Sequence, residues 1–423
     1  MNAGKTLFVY TTEVSVDFND FIHTFREREL SILIKAESGI AGAGEEMCLE
    51  GDKEEISRQK ERLFSRIIYY GIKSSPVLIG GFTFDQRMHS KLWSKFPTDH
   101  FTLHRYTLRR ICDRYYLILC SYSSQNISER EMRKEVERIS WKKKQSMQRV
   151  RIGNSRSVPD LERWSKIIEG AKEFFSEGAI SKVVLSRVRL LQVKNLDSIE
   201  FYSKLLESYG ENMCFYFSIG GEIFLGASPE TLVRKRGLSV ETEALAGSAP
   251  RGNTKEEEDA QKERLLSSDK DRIEHKIVVR SIQNVLKEVC SEVKISKMSV
   301  KTLSYIHHLN TILSGKLYPG ITIFDLAKQM HPTPALGGFP RKEALNVIKE
   351  LEVEGRGWYG SPVGWMDAEG DGEFSVAIRS ALLKKDEIAL FTGAGIVPES
   401  DPVKEWEETE LKLLPMTKIL ESV

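Results

Sequence analysis

The chain has 423 residues, with 62 Lys and Arg against 61 Asp and Glu, for a formal charge of +1. That length allows two or three average domains, or one large one with a deep core. The charge balance gives no electrostatic footing for nucleic acid or an anionic membrane as partner. Five scattered cysteines (Cys48, Cys112, Cys120, Cys214, Cys290) lack C-x-x-C pairing and read as free thiols in a reducing compartment, not as a disulfide scaffold or zinc site. The first ten residues show no signal peptide, and no apolar run approaches the ~20 residues needed to span a bilayer. The expectation is a soluble cytoplasmic protein, a monomer or weak homo-oligomer.

Residues 1–125 mix strand-like runs (Thr6–Tyr10, Pro76–Phe84, Tyr115–Tyr122) with amphipathic stretches such as Glu54–Tyr70. Ala41-Gly-Ala-Gly44 is Gly-rich but lies between no clear strand and helix, which argues against a phosphate loop. Residues 126–158 are polar, with basic residues from Trp141 to Arg156. Glu129, Glu131, Glu135 and Glu137 precede them, so a solvated helix or linker is the better reading than a nucleic-acid patch. The boundary is placed here: 1–157 as an N-terminal subdomain contributing to the same fold, 158–423 as the catalytic region.

Leu161–Glu177 has helical spacing and Gly178 ends it. Ser181–Arg187 reads as a strand that places Lys182, Val184 and Ser186 on one face. A lysine desolvated there would have a lowered pKa and suit a base, the plain alternative being a surface lysine. Residues 213–227 read as two strands turning at Gly220-Gly221. They deliver the chain to Ser228-Pro-Glu230, where a carboxylate at a strand end suits acid chemistry or is a simple turn residue. Strands Thr231–Arg234 and Leu238–Ala244 follow, then Leu245-Ala-Gly-Ser248, where Gly247 allows close backbone approach and Ser248 adds a hydroxyl.

Lys255–Cys290 is a long helical region broken near Ser267–Asp269, with Ile273, Ile277, Val278, Ile282, Val285 and Leu286 on its apolar face. Asp271 and Glu274 fall at i, i+3. Glu274 lies beside the buried stripe, where a metal or basic partner would relieve its charge. Residues 303–315 look like a strand carrying His308, by default a buried structural histidine. Helices Ile323–His331 and Arg341–Glu352 flank a Pro-rich turn. In the last long strand, Glu373–Leu383, Phe374, Val376, Ile378 and Leu382 form the apolar ladder. Arg379 lies opposite among small residues, suited to an anion in a cleft or to a buried ion pair.

Asp401-Pro402 then opens a helix on which Glu405, Glu408 and Lys412 share a face. Two carboxylates one turn apart can hold a hard divalent cation, although an ordinary salt-bridged surface helix has the same pattern. Gly393-Ala-Gly395, read as a turn, offers bare backbone N–H groups. Two acidic helix faces, two cations, a strand lysine and a strand-end glutamate suit a small substrate with several carboxylates, bound through Mg²⁺.

Seven motifs occur in order: Lys182–Arg187, Gly226–Thr231, Glu243–Ser248, Lys270–His275, His331–Gly338, Gly393–Ile396 and Glu405–Lys412. Over about 158–415 the chain closely resembles the chorismate-utilising enzymes, and among them the isochorismate synthases. The resemblance implies an α+β fold, two large antiparallel sheets packed face to face with helices outside. It implies Mg²⁺ held by Glu274 and Glu408, with Asp271 and Glu405 supporting through water, the ion bridging to the ring carboxylate of chorismate. Asp271 stands where many relatives have Glu, a shorter arm toward the ion. Tyr359, Arg379, Gly393 and Lys412 would bind substrate, with Gly247 and Ser248 near the ring and His308 lining the pocket.

In the reaction so implied, Lys182 is the general base that activates water for attack at C2. Glu230 is the general acid that protonates the departing C4 hydroxyl, so the Lys must be neutral and the Glu protonated. Isochorismate would feed menaquinone or catecholate siderophore synthesis, with no redox cofactor. Anthranilate synthases carry a run like Asp-Leu-Ala-Arg-Asn-Asp where this chain has Val278-Val-Arg-Ser-Ile-Gln. Salicylate synthases, the alternative activity, typically carry Thr where Ala335 stands. A non-catalytic chorismate-binding protein would be expected to lose Lys182 or Glu230, and both are present.

Overall fold

Alternate residues of the run Met213–Ile219 face different cores, which is why it is apolar at every position but Ser218. Met213, Phe215, Phe217 and Ile219 point into one cluster, Cys214 and Tyr216 into another. A strand buried on both faces has no polar side to display. This is the pattern at the centre of the molecule, whose computed structural model describes residues 4–36, 38–86, 90–143, 150–252, 254–303 and 306–423.

Among the described residues, twenty-one strands form one continuous hydrogen-bonded network. It folds over as two broad sheets joined along two long strands, Ser38–Glu50 and His100–Ile111. One sheet runs from Ser38–Glu50 through Leu30–Lys35, Met213–Ile219, Glu222–Ser228, Ser380–Leu383, Glu387–Ile396 and Lys182–Lys194 to Arg151–Val158. The other runs from His100–Ile111 through Val77–Gly81, Pro362–Asp367, Gly372–Val376, Thr231–Arg236 and Ser239–Pro250 to Ile306–Leu317. All of these pairings are antiparallel. The α+β class and the facing sheets expected from the resemblance are both present.

Between the sheets lies an aromatic core in which Phe217 meets Trp358 edge-on at 5.3 Å. Helices Ser198–Tyr209 and Pro402–Ser422 cover the outside of the first sheet. Helices Asp269–Val289 and Ile323–Met330 cover the second. Burying each such large apolar side chain stabilises the fold by about 1.5–3 kcal/mol. Local chemistry fixes where the helices begin. Asp401 accepts from the Val403 and Lys404 N–H groups with Pro402 just inside the helix, and Ser268 ends Lys255–Ser267 while accepting from Asp271 N–H to start the next helix.

Several expectations need correction. The stretch Glu54–Tyr70 is not one amphipathic piece: the helix Lys53–Phe64 stops, and Ile67–Gly71 pairs in parallel with Thr6–Val14. Ala41–Gly44, read as no phosphate loop, indeed lies inside a strand. In the polar segment 126–158 the solvated helix is present as Glu129–Glu137, with a capping box, but Arg151–Val158 is a strand and not linker, while 144–149 lies outside the described residues. Ile273 is 61% exposed, turned off the buried face of its helix. Glu373–Leu383 is two strands, Gly372–Val376 and Ser380–Leu383, broken where Arg379 takes a left-handed φ of 53°. Gly393–Gly395 is strand, not turn.

Candidate active site

The strand break at Arg379, the corner at Glu230 and the start of the strand Lys182–Lys194 all open on one cavity of about 270 Å³. All fourteen residues singled out in the sequence line it. From the sheets come Lys182, Glu230, Gly247, Ser248, His308 and Gly393; from loops, Ala335, Tyr359 and Arg379. The helix Asp269–Val289 contributes Asp271 and Glu274, and the helix Pro402–Ser422 contributes Glu405, Glu408 and Lys412.

Lys182 is 5% exposed. Its strand pairs with Glu387–Ile396 so that Val184 faces Gly395. A Cβ on Gly395 would stand 3.0 Å from Lys182 Cε, so the bare backbone makes room for the lysine. The lysine does not stand alone there, because its ammonium is ion-paired with Glu274 across 92 residues of chain. That pairing is the basic partner that the buried stripe beside Glu274 called for. The neighbouring His275 turns away and meets Thr311 Oγ1 at 2.8 Å, a structural role.

Glu230 is 8% exposed, and its carboxyl is pushed up to about 8, chiefly by burial and then by the nearby Glu243 carboxylate. At neutral pH it holds its proton. Gly247 forms a bulge in its strand with φ of 76°, a conformation that favours glycine, and a Cβ there would meet Asp271 Cβ at 3.0 Å. The bulge turns Ser248 N–H toward Asp271 Oδ1 at 3.4 Å and Ser248 Oγ toward His308 Nδ1 at 2.9 Å. Burial, with Arg379 beside it, lowers His308 to about 4, so the ring is neutral. Its Nδ1 also faces the Gly247 carbonyl at 3.1 Å, which assigns the proton to Nδ1 and leaves Nε2 an acceptor.

The cationic side is built on the last helix. Lys412 Nζ meets Glu408 Oε1 at 2.5 Å and donates to the Gly393 carbonyl at 2.9 Å, and this lysine holds the Glu408 carboxyl below the usual range. Arg379 Nη1 donates to the Lys412 carbonyl at 2.8 Å. Among the described residues no carboxylate forms an ion pair with Arg379, which leaves donors for an anion. Burial raises Glu405, although Ser400 Oγ donates to it at 2.7 Å. Tyr359, pushed up to about 12 by burial, stacks on Phe391 at 5.3 Å.

Asp271, Glu274, Glu405 and Glu408 offer oxygen donors only, the class that suits a hard cation. Among the described residues, no three of them bring oxygens within 4.8 Å of one another. A different trio does, Cys48, Glu50 and His100, which the cysteine pattern did not suggest. There His100 already meets Glu50 at 2.7 Å and Thr102 at 2.9 Å.

Two supports behind the cavity were missed. Fully buried Arg187 donates to Thr409 Oγ1 at 2.7 Å, pairs with Glu410 and lies over the Trp406 ring at 3.7 Å, which ties the last helix to the strand that carries Lys182. Arg356, paired with buried Glu352, donates to the Val184 and Leu336 carbonyls at 2.7 and 2.8 Å. Arg187 closes the first quoted motif, and that was its only signal in the sequence.

A family model described as "Chorismate binding enzyme" matches residues 4–421. Isochorismate synthase MenF of Bacillus subtilis (strain 168) is 34% identical over 408 residues, covering 91% of this chain and 86% of that protein. The salicylate biosynthesis isochorismate synthase of Pseudomonas aeruginosa is 34% identical over 359 residues, covering 82% of this chain and 75% of that protein. Among solved structures, MenF, the menaquinone-specific isochorismate synthase from Escherichia coli, aligns with a TM-score of 0.86 at 22% identity, over 98% of this chain and 95% of that one. At that identity the likeness speaks for the fold.

Proposed function

The chain belongs to the chorismate binding enzymes, and from that premise we propose that it is an isochorismate synthase, an isomerase that converts chorismate to isochorismate. One observation carries the reading: Glu230, held in its acid form, faces the same cavity as Lys182. Exchange of one hydroxyl for another across a ring needs such a pair, a base for the entering water and an acid for the leaving oxygen.

Water gives a proton to Lys182 as its oxygen bonds to C2. The ring double bonds shift, the C4–O bond breaks, and the departing oxygen takes the proton of Glu230 and leaves as water. One water enters, one leaves, and no oxidant or reductant takes part. Lys182 can act only once its pair with Glu274 has opened and its amine is neutral. Arg379 and Lys412 would hold substrate carboxylates, the first by its planar fork and the second as a point charge. Tyr359 and Gly393 would shape the floor beneath them, with Gly247, Ser248 and His308 beside the ring.

Glu274 and Glu408 would hold Mg²⁺, with Asp271 and Glu405 supporting. Mg²⁺ keeps several of its waters and binds through one or two carboxylates plus substrate, which suits carboxylates spread around a cavity rather than gathered in a cage. When bound, the ion would fix the ring carboxylate and offset negative charge. Ala335 on the wall supports release of isochorismate over further conversion. Relatives are named for both menaquinone and salicylate biosynthesis, and the reaction proposed is the step they share.

Incubating the protein with chorismate and Mg²⁺ and separating the products tests this. Isochorismate as the main product is expected. Salicylate with pyruvate as main products would replace the reading by a salicylate synthase, and binding without turnover by a non-catalytic chorismate-binding protein.

A further inference from the structure

Glu230 occupies the corner between strands Glu222–Ser228 and Thr231–Arg236. Its backbone is bonded on the spot: its N–H donates to Ser228 Oγ at 3.2 Å, and its carbonyl accepts from Val376 N–H at 3.1 Å. The residues on either side are held by one ion pair that does not line the cavity. Lys301 Nζ donates to the Pro229 carbonyl at 3.0 Å and to both Glu243 oxygens at 2.9 and 2.8 Å. Glu243 Oε1 in turn accepts from Thr231 N–H at 2.9 Å. A carboxylate grips the backbone after Glu230, an ammonium grips the backbone before it, and the two grip each other. The side chains of Glu243 and Lys301 are only 13% and 28% exposed, so water screens the arrangement weakly.

We propose that Glu243 and Lys301 are positioning residues for the acid, clamping the Pro229–Thr231 corner so that the Glu230 carboxyl projects into the cavity and balancing the charge around it. The inference rests on the reading of Glu230 as general acid.

The two partners act on Glu230 with opposite sign. Glu243 favours retention of its proton, while Lys301, and after it Lys182, favour loss. Beside the corner, Lys35 Nζ meets Thr231 Oγ1 at 3.3 Å, and the charged groups Asp271, Glu274, Arg379, Glu405, Glu408 and Lys412 line the same cavity. Removing Glu243 leaves Lys301 uncompensated beside the acid. Removing Lys301 leaves a bare carboxylate there.

The two variants therefore predict opposite displacements, which loss of a merely structural contact would not produce. In Glu243→Gln the amide oxygen still accepts from Thr231 N–H, and the alkaline limb of the kcat/KM profile moves to lower pH by about one unit or more. In Lys301→Met it moves to higher pH, in the double variant it lies between the two, and Lys301→Arg stays near wild type. The infrared carbonyl band of a protonated carboxyl, assigned by its loss in Glu230→Gln, should follow the same order without depending on turnover. If folded single variants leave band and limb in place, or move both the same way, the inference is overturned while the acid reading stands. Normal turnover by Glu230→Gln would instead remove the acid reading itself.

Discussion

Glu230→Gln should abolish turnover and yet stabilise the protein increasingly as pH rises. In the unfolded chain this carboxyl titrates near its ordinary value of 4.5, and in the folded protein near 8. Between those values the folded state binds a proton that the unfolded state has lost, so wild-type stability falls as pH rises, by about 1.4 kcal/mol per unit. The stabilising effect of keeping the acid neutral is fully present below 4.5 and is lost as pH climbs through the folded value. The side chain is nearly buried, so solvent screening discounts this little. By pH 7 the accumulated loss is about 3 kcal/mol, a large part of the stability of an ordinary domain. Gln cannot ionise and carries only a pH-independent offset. Denaturant titrations of both proteins at a series of pH values between 4.5 and about 8 should show a free-energy difference that grows in favour of the variant. A flat difference, or a variant that loses ground as pH rises, would refute the reasoning.

Lys182→Ala should lower kcat by about 10²–10⁴, the usual contribution of a positioned base, while chorismate binding by calorimetry changes much less. Substantial isochorismate formation by that variant would end the base assignment. Chelating divalent metal should stop turnover and added Mg²⁺ should restore it; full activity in excess chelator would exclude the four carboxylates as a required metal site. Arg187→Leu should cost about 2 kcal/mol in a denaturant titration, because it removes the charged hydrogen bond to Thr409 and the contact with the Trp406 ring that tie the last helix to its strand, while Glu410 keeps Arg189. A loss below about 1 kcal/mol would show that Trp406 and the apolar contacts hold the helix without it.

What was legible in the sequence was local. Asp401-Pro402 announced the final helix because capping is settled within four residues. The turn at Gly220-Gly221 and the break at Ser268 were equally visible. Helical spacing put Glu405, Glu408 and Lys412 on one face, and ordered motifs named the cavity's other residues. What escaped depended on partners distant in sequence. Nothing near Lys182 in the chain says that Glu274 pairs with it, and nothing near Glu230 points to Lys301. Apolar alternation across Glu373–Leu383 reported which side chains are buried, but not that the backbone turns left-handed at Arg379 and re-aims the guanidinium at the cavity. Gly393 and Gly395 read as a turn because glycine favours turns, whereas in a strand it marks a place where something must come close. At Gly395 that neighbour is Lys182, and at Gly393 it is the Leu185 carbonyl with the Tyr359 hydroxyl.

The strand order has a consequence for how the chain is made. Leu30–Lys35 finds one of its neighbours in Met213–Ile219, and Val77–Gly81 finds one in Pro362–Asp367. At ribosomal speeds those partners emerge on the order of ten seconds to a minute later. Until then the early segments expose unpaired edges and greasy faces, an invitation to pair with the wrong chain. Production in cells should therefore respond to chaperone supply and to translation rate, and a gene cut between the two halves should yield fragments that are insoluble apart and recover only when expressed together.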